Sequence, residues 1–177
     1  MQIAVLGSWD NDLAAAVYNT AEQTGRLIAK LGWVVLTGGS TGVMEAAMKG
    51  AKSAGGITAG IIPTESASEY ELIGRYADIT INTGMGELGK LAPLIHSADG
   101  AIAIAGGSGT MIEVSMAYIE RKPVVMIPFE GFATDRIRRC MTGKMLDHRG
   151  YREIDTADDA KSAVKILCKR LSAASTR

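Results

Sequence analysis

The sequence predicts an α/β protein, a parallel sheet with helices on both faces in three layers, built as one domain over residues 1–177. Three observations predict it. Short, continuous apolar runs recur along the chain, the pattern of strands buried on both faces. Between them lie longer segments with apolar residues at helical spacing. The joints between run and helix are brief and rich in glycine, which suits right-handed strand–helix–strand units.

Ile3 to Leu6 is the first run, ending at Gly7-Ser8. Leu13, Val17, Ala21, Leu27-Ile28 and Leu31 then mark a helix over 13–31 that stops at Gly32. Trp33 to Leu36 is a second strand and runs into Thr37-Gly38-Gly39-Ser40-Thr41-Gly42. Val43 to Ala54 is helical, with small residues along one side and Gly55-Gly56 beyond it. Ile57 to Ile62 is a third strand, broken by Pro63. Thr64 to Arg75 is polar and reads as a loop with a short helix, and Ala77 to Ile81 as a fourth strand, less apolar and so nearer an edge.

The loop over 82–86 leads into one helix over about Glu87–Ser97. Ala101 to Ala105 is a further buried strand, and Met111 to Glu120 its following helix. Pro123 to Ile127 is another strand, and Thr134 to Met145 a basic helix. Thr156-Ala157-Asp158-Asp159 resembles a capping box, which starts a last helix reaching about Leu171 and leaves the final residues frayed.

Composition removes several classes of function. Lys plus Arg and Asp plus Glu each number 19, so no basic face for nucleic acid covers the surface. Aromatic residues are only 5%, few for stacking a single strand. No basic leader precedes the first short apolar run, and no segment is long enough to span a bilayer. Cys140 and Cys168 lack metal-type spacing and are expected as reduced thiols in the cytoplasm. His96 and His148 belong to no ligand cluster, so no protein-held metal is expected.

In parallel sheets of this kind ligands bind beyond the carboxyl ends of the strands, where strand order reverses. The loops there are Gly7 to Asp12, Gly38 to Gly42, Thr83 to Glu87 and Gly106 to Thr110. The dinucleotide fingerprint is missing, with one glycine after the first strand and Thr37-Gly38 where a ribose-binding acid belongs. The phosphate loop of nucleoside triphosphatases is missing too, since Gly89-Lys90 is followed by Leu91. Two Gly-Gly-Ser turns remain, each followed by a helix and a glutamate. Bare N–H groups and a helix start make such a turn an anion seat, favouring an anion by about 0.3–1 kcal/mol and up to ~2 when partly buried. Otherwise the glycines serve only to allow a tight connection. A nucleoside monophosphate, or a cofactor ending in phosphate, fits the scale of two such turns on neighbouring loops.

Thr37-Gly38-Gly39-Ser40-Thr41-Gly42-Val43-Met44-Glu45-Ala46-Ala47, taken with Gly106-Gly107-Ser108-Gly109-Thr110-Met111-Ile112-Glu113, resembles the LOG-like (Lonely Guy) superfamily, often labelled "possible lysine decarboxylase". The closer resemblance is to its molybdenum cofactor carrier branch, from the first strand to about Pro128. The resemblance implies a Rossmann-like fold and a homodimer or homotetramer. In the hydrolase branch a Gly-Gly-x-Gly-Thr turn binds the phosphate of a nucleoside 5′-monophosphate, and an arginine and the motif glutamate cleave the N-glycosidic bond. Here Glu113 stands at the glutamate position and Lys90 at the arginine position, and Ala105 replaces the proline before Gly-Gly. Lysine lacks the planar fork of arginine, so the exchange bears on catalysis more than on phosphate binding.

The expected site therefore has a phosphate on the N–H groups of Gly107, Ser108, Gly109 and Thr110, after Gly106. Gly38, Gly39, Ser40, Thr41 and Gly42 form the opposite wall, Gly7 and Ser8 the floor, and Lys90 adds charge. The leading function is binding of a phosphorylated nucleotide-type ligand, a molybdopterin-type cofactor being the sharpest candidate. The alternatives are a phosphoribohydrolase using Glu113 with Lys90, and a sensor of nucleotide-like signals. No cofactor is required by the first reading beyond that small phosphorylated partner.

Glu113 also reads as the end of a Thr110-x-x-Glu113 capping box, in which case Glu113→Gln moves stability by less than about 1 kcal/mol. Glu45 reads as structural, His96 as a helix-end residue, and Met111, Met116 and Met126 as core or subunit interface. Trp9 is either a stacking platform for a ring or a packed loop residue. The run Arg136, Arg138-Arg139, Lys144 and Arg149 is a basic rim or a solvated face.

Overall fold

Strand β1 (Gln2–Gly7) leads to helix α1 (Ala15–Lys30), β2 (Val34–Thr37), α2 (Val43–Ser53) and β3 (Thr58–Ile62). After β4 (Ile79–Asn82) come two short helices, α3 (Gly86–Gly89) and α4 (Leu91–Ser97), then β5 (Gly100–Ile104) and α5 (Ser108–Ile119). The chain closes with β6 (Val124–Ile127), α6 (Ala133–Cys140), β7 (Ile154–Thr156) and α7 (Ala160–Ala174). These assignments come from a computed structural model that describes residues 1–64 and 75–174. The loop with a short helix expected within 64–75 falls mostly outside those residues, as does the frayed end.

All seven strands are parallel, in the order β4-β3-β2-β1-β5-β6-β7. Alternation along the strands splits the interior into two cores. Ile3 and Val5 of β1 pack with residues of α1, α2 and α7, whereas Ala4 and Leu6 pack with residues of α4, α5 and α6. That is the three-layer Rossmann-like arrangement. β1 lies between β2 and β5, so strand order reverses beside it, and its carboxyl end faces the switch point. The edge position expected of the fourth strand holds: β4 ends the sheet, and Ile79 and Ile81 are exposed.

Several elements differ from expectation, each for a physical reason. The basic helix expected over Thr134–Met145 ends at Cys140, because Met141 is extended and Gly143, at a φ of 62°, allows a tight turn that bridges Thr142 to Met145. The single helix over Glu87–Ser97 is broken at Lys90, because Pro93 cannot continue a helix back through the carbonyl of Gly89. Helix α5 begins at Ser108, three residues before Met111, with Gly107 as a cap that makes no side-chain bond. The last helix starts at Ala160, where the Ser162 N–H donates to Asp159 Oδ1 at 2.7 Å and the Asp159 N–H to Ser162 Oγ at 3.4 Å. The capping pair is thus Asp159 and Ser162, not Thr156 and Asp159. β7 went unread because it has three residues and holds the charged Asp155, paired at 2.6 Å with Arg170 and at 2.5 Å with Lys144.

Candidate functional site

The carboxyl ends of β1, β2 and β5 open into one cleft of about 620 Å³. Its base is the turn from β5 to α5. Ala105 has a φ of 53° and Gly106 a φ of 87°, a left-handed pair that reverses the chain at the strand end. Helix α6 fixes this turn from behind: the Ala133 N–H donates to Gly106 O at 2.8 Å and the Thr134 N–H to Ala105 O at 3.1 Å. Thr110 closes over Gly106, where any Cβ would meet Thr110 Oγ1 at 2.3 Å.

The first turn of α5 is left open. Ser108, Gly109 and Thr110 present N–H groups that have no intrahelical acceptor, and no side chain caps them. A Cβ on Gly107 or Gly109 would meet nothing within 4 Å, so the fold itself does not demand glycine at either position. Both residues line the cleft, and their bareness leaves room for an atom group to reach the backbone.

The two turns do not contribute alike. Gly38 and Ser40 line the cleft, together with Gly7, Ser8 and Gly106 to Thr110. Gly39, Thr41 and Gly42 are outside its lining and hold the wall together. Gly42 has a φ of 65°, and a Cβ there would strike Ser8 O at 2.4 Å. The Thr41 hydroxyl donates to Trp9 O, and the Val43 N–H to Ser8 O at 2.9 Å. The Ser8 hydroxyl donates to Asp10 Oδ2 at 2.5 Å.

Lys90 and Glu113 meet in this cleft although they come from different elements. Lys90 sits at the break between α3 and α4 and is only 6% exposed. Its ammonium lies 2.9 Å from Glu87 Oε2 and 3.4 Å from Gly38 O, across the end of β2. Glu113 is 8% exposed and is in the second turn of α5, so it forms no capping box with Thr110. Burial pushes its carboxyl up to about 8, against a smaller opposing pull from Lys90. It is therefore mostly a neutral acid at pH 7. Trp9, Met44, Leu88, Leu91 and Ile112 are the large apolar part of the lining, and of these only Trp9 is a candidate ligand contact from sequence.

A model of the SLOG cluster4 family matches residues 1–164. The chain belongs to that family. The LOG-like membership read from the paired glycine motifs is borne out. Among solved structures, this SLOG cluster4 protein is similar to TM1055, a structural genomics target, at 32% identity and a TM-score of 0.86, covering 95% of this chain and 98% of that one. It is similar to the molybdenum cofactor binding protein of Rippkaea orientalis at 29% identity and a TM-score of 0.81, covering 96% of each chain. It is also similar to the molybdenum cofactor carrier protein of Chlamydomonas reinhardtii at 33% identity and a TM-score of 0.76, covering 97% of this chain and 98% of that one. Among the described residues, no helix is long and apolar enough to cross a membrane, and no group of three or more His, Cys, Asp or Glu side chains is placed to hold a metal.

Proposed function

We propose that this protein binds a small phosphorylated ligand of nucleotide type and carries it, with a molybdopterin-type cofactor as the specific cargo. The observation that carries this reading is the uncapped first turn of α5, opening with bare Gly107 and Gly109 into a cleft beside the buried Lys90. Several N–H bonds to one charged oxygen group, on a helix start, suit a terminal phosphate. The likeness to two molybdenum cofactor proteins over nearly the whole chain supports the pterin cargo. The residues fit such a group: Gly107 to Thr110 would hold its phosphate, Lys90 would balance charge, and Gly38 with Ser40 would line the opposite wall. The metal and its dithiolene belong to the cargo.

Mass spectrometry of what copurifies with the native protein tests the cargo, and calorimetry against molybdopterin and adenosine monophosphate tests the site. A saturable complex with a phosphorylated ring compound, lost on adding bulk at Gly109, is expected. Failure of every phosphate-bearing ligand to bind would end the proposal.

One observation favours a second reading, hydrolysis of nucleoside 5′-monophosphates. Glu113 is a buried acid that titrates at about 8 inside the cleft, which suits proton donation to a leaving base. Release of free base from any monophosphate, abolished by Glu113→Gln, would establish it. Self-association is part of the proposal too: Ile119, near the end of α5 and outside the cleft lining, is an exposed apolar side chain that a second copy would cover. Light scattering of the purified protein reads it directly.

A further inference from the structure

The cleft combines buried polar side chains with exposed large apolar ones, while Met44 and Leu91 of its lining are buried in the ordinary way. In ordinary protein surfaces the large apolar groups are inside and the polar ones outside. Here Ser8, Lys90, Thr110 and Glu113 are the buried polar members, each under one-tenth exposed. The exposed members include three large apolar side chains: Trp9 at 67%, Leu88 at 70% and Ile112 at 40%. They come from three separate elements, the β1 end, α3 and α5, yet line one cleft. The two exposed carboxylates of the lining are already engaged, Asp10 by Ser8 and Glu87 by Lys90.

Trp9 differs from a loosely hung surface ring. The backbone around it is tied on several sides: Ser8 O accepts from the Val43 N–H at 2.9 Å, Trp9 O accepts from the Thr41 hydroxyl, and the Asp10 N–H donates to Ser8 Oγ at 3.2 Å. Gly42 packs so tightly here that its own Cβ would lie 3.0 Å from the Trp9 carbonyl carbon. The fold thus fixes the root of an indole whose ring it leaves in solvent. A large aromatic held in place and unburied offers a face to a flat partner at low entropic cost.

We propose that Trp9 is a specificity-determining residue that stacks on a planar heteroaromatic ring, so that the ligand enters phosphate first and leaves its ring at the apolar rim. This rests on the phosphate-binding reading above and narrows it: sugar phosphates and inorganic phosphate use the floor alone, whereas phosphorylated purines or pterins use floor and rim together.

The protein has two tryptophans, and they supply the test. Trp33 precedes β2 at the opposite end of the strand from Gly38, about 16 Å away along an extended chain, and packs on the core. Tryptophan fluorescence and calorimetry are followed with adenosine monophosphate, a pterin monophosphate, ribose 5-phosphate and adenosine. Ring-bearing phosphates are expected to quench the native protein and Trp33→Phe but not Trp9→Phe. Trp9→Ala is expected to weaken them by roughly 10- to 100-fold, the range of base–aromatic stacking, while ribose 5-phosphate affinity stays within about twofold. An equal loss for ring-bearing and ringless phosphates, or quenching that persists in Trp9→Phe, overturns the assignment of Trp9 and leaves the phosphate site standing. Binding of adenosine that depends on Trp9, with no phosphate ligand bound, keeps the stacking site and removes the phosphate reading. If none of the four ligands binds, both fall.

Discussion

Replacing Glu113 by glutamine should make this protein more stable at neutral and alkaline pH. In the unfolded chain the carboxyl titrates near its ordinary value of 4.5, and in the fold at about 8, chiefly through burial. Between those two values the folded state keeps a proton that the unfolded state has lost. Stability then falls as pH rises, by about 1.4 kcal/mol per pH unit. The whole interval amounts to roughly 5 kcal/mol, of which roughly 3 is already lost by pH 7. Lys90 offsets part of the cost and is included in that balance.

Glutamine has nearly the same shape and no charge to desolvate, so its curve lacks this slope. Asp135, Asp147 and Asp155, all held below the ordinary carboxylate range, affect both proteins equally and cancel in the difference. Urea unfolding of native and Glu113→Gln proteins from pH 4 to pH 9 reads it. The two should agree below the unfolded value and diverge steadily above it, the variant being the more stable by several kcal/mol at the top of the range. Parallel curves, differing by no more than about 1 kcal/mol at any pH, would refute the reasoning and mean that burial leaves the Glu113 carboxyl near its ordinary titration.

Lys90→Met removes the cation that lines the cleft among the described residues; it should weaken a phosphorylated ligand by about 10-fold or more in calorimetry, and raise the Glu113 titration further by removing the pull of the ammonium. Gly109→Ala adds a Cβ that meets no protein atom, so thermal unfolding should be unchanged or rise, while ligand affinity falls by an order of magnitude. Ala105→Pro imposes a φ near −65° where the chain needs 53°, and should cost at least about 1–3 kcal/mol in chemical denaturation. A stable Ala105→Pro protein would mean that the turn also accepts the proline geometry of the hydrolase branch.

Much of the scaffold was legible because its signals are local. Ala101 to Ile104 is apolar at every position and buried at every position, and the glycines after it could only be a turn. Helical spacing puts Lys90 mid-helix, although Pro93 carries the information that breaks the helix there. The Thr110-x-x-Glu113 spacing matches a cap, but a glycine cap at Gly107 leaves no side-chain trace and sets the helix start three residues earlier. β7 was hidden by Asp155, a charge tolerated inside only because Arg170 and Lys144 reach it from elsewhere in the chain. The likeness of the two Gly-Gly-Ser turns suggested equal walls, yet Thr41 and Gly42 spend themselves on Ser8 and Trp9. That division is tertiary, as is the shared burial of Lys90 and Glu113, and no local pattern reports it.

What separates holding a ligand from cleaving it here is where the favourable contacts fall. Only interactions that strengthen in the transition state accelerate a reaction; those that are equal in ground and transition states add affinity alone. On the reading proposed above, the contacts offered by the first turn of α5 would go to a terminal phosphate, a group whose charge does not change when a glycosidic bond breaks. Near the place where such a bond would lie, the cleft offers less. Glu113 is largely neutral at pH 7, which removes a base and leaves an acid. Lys90 is a point charge already shared with Glu87 Oε2 at 2.9 Å and Gly38 O at 3.4 Å, without the planar fork of an arginine. The left-handed Ala105, tied by the start of α6, shapes the turn in a way proline cannot follow. N–H groups suited to a phosphate, with little directed at the bond beyond it, are the distribution that the proposed carrier would need, and they are the physical ground for proposing transport before turnover.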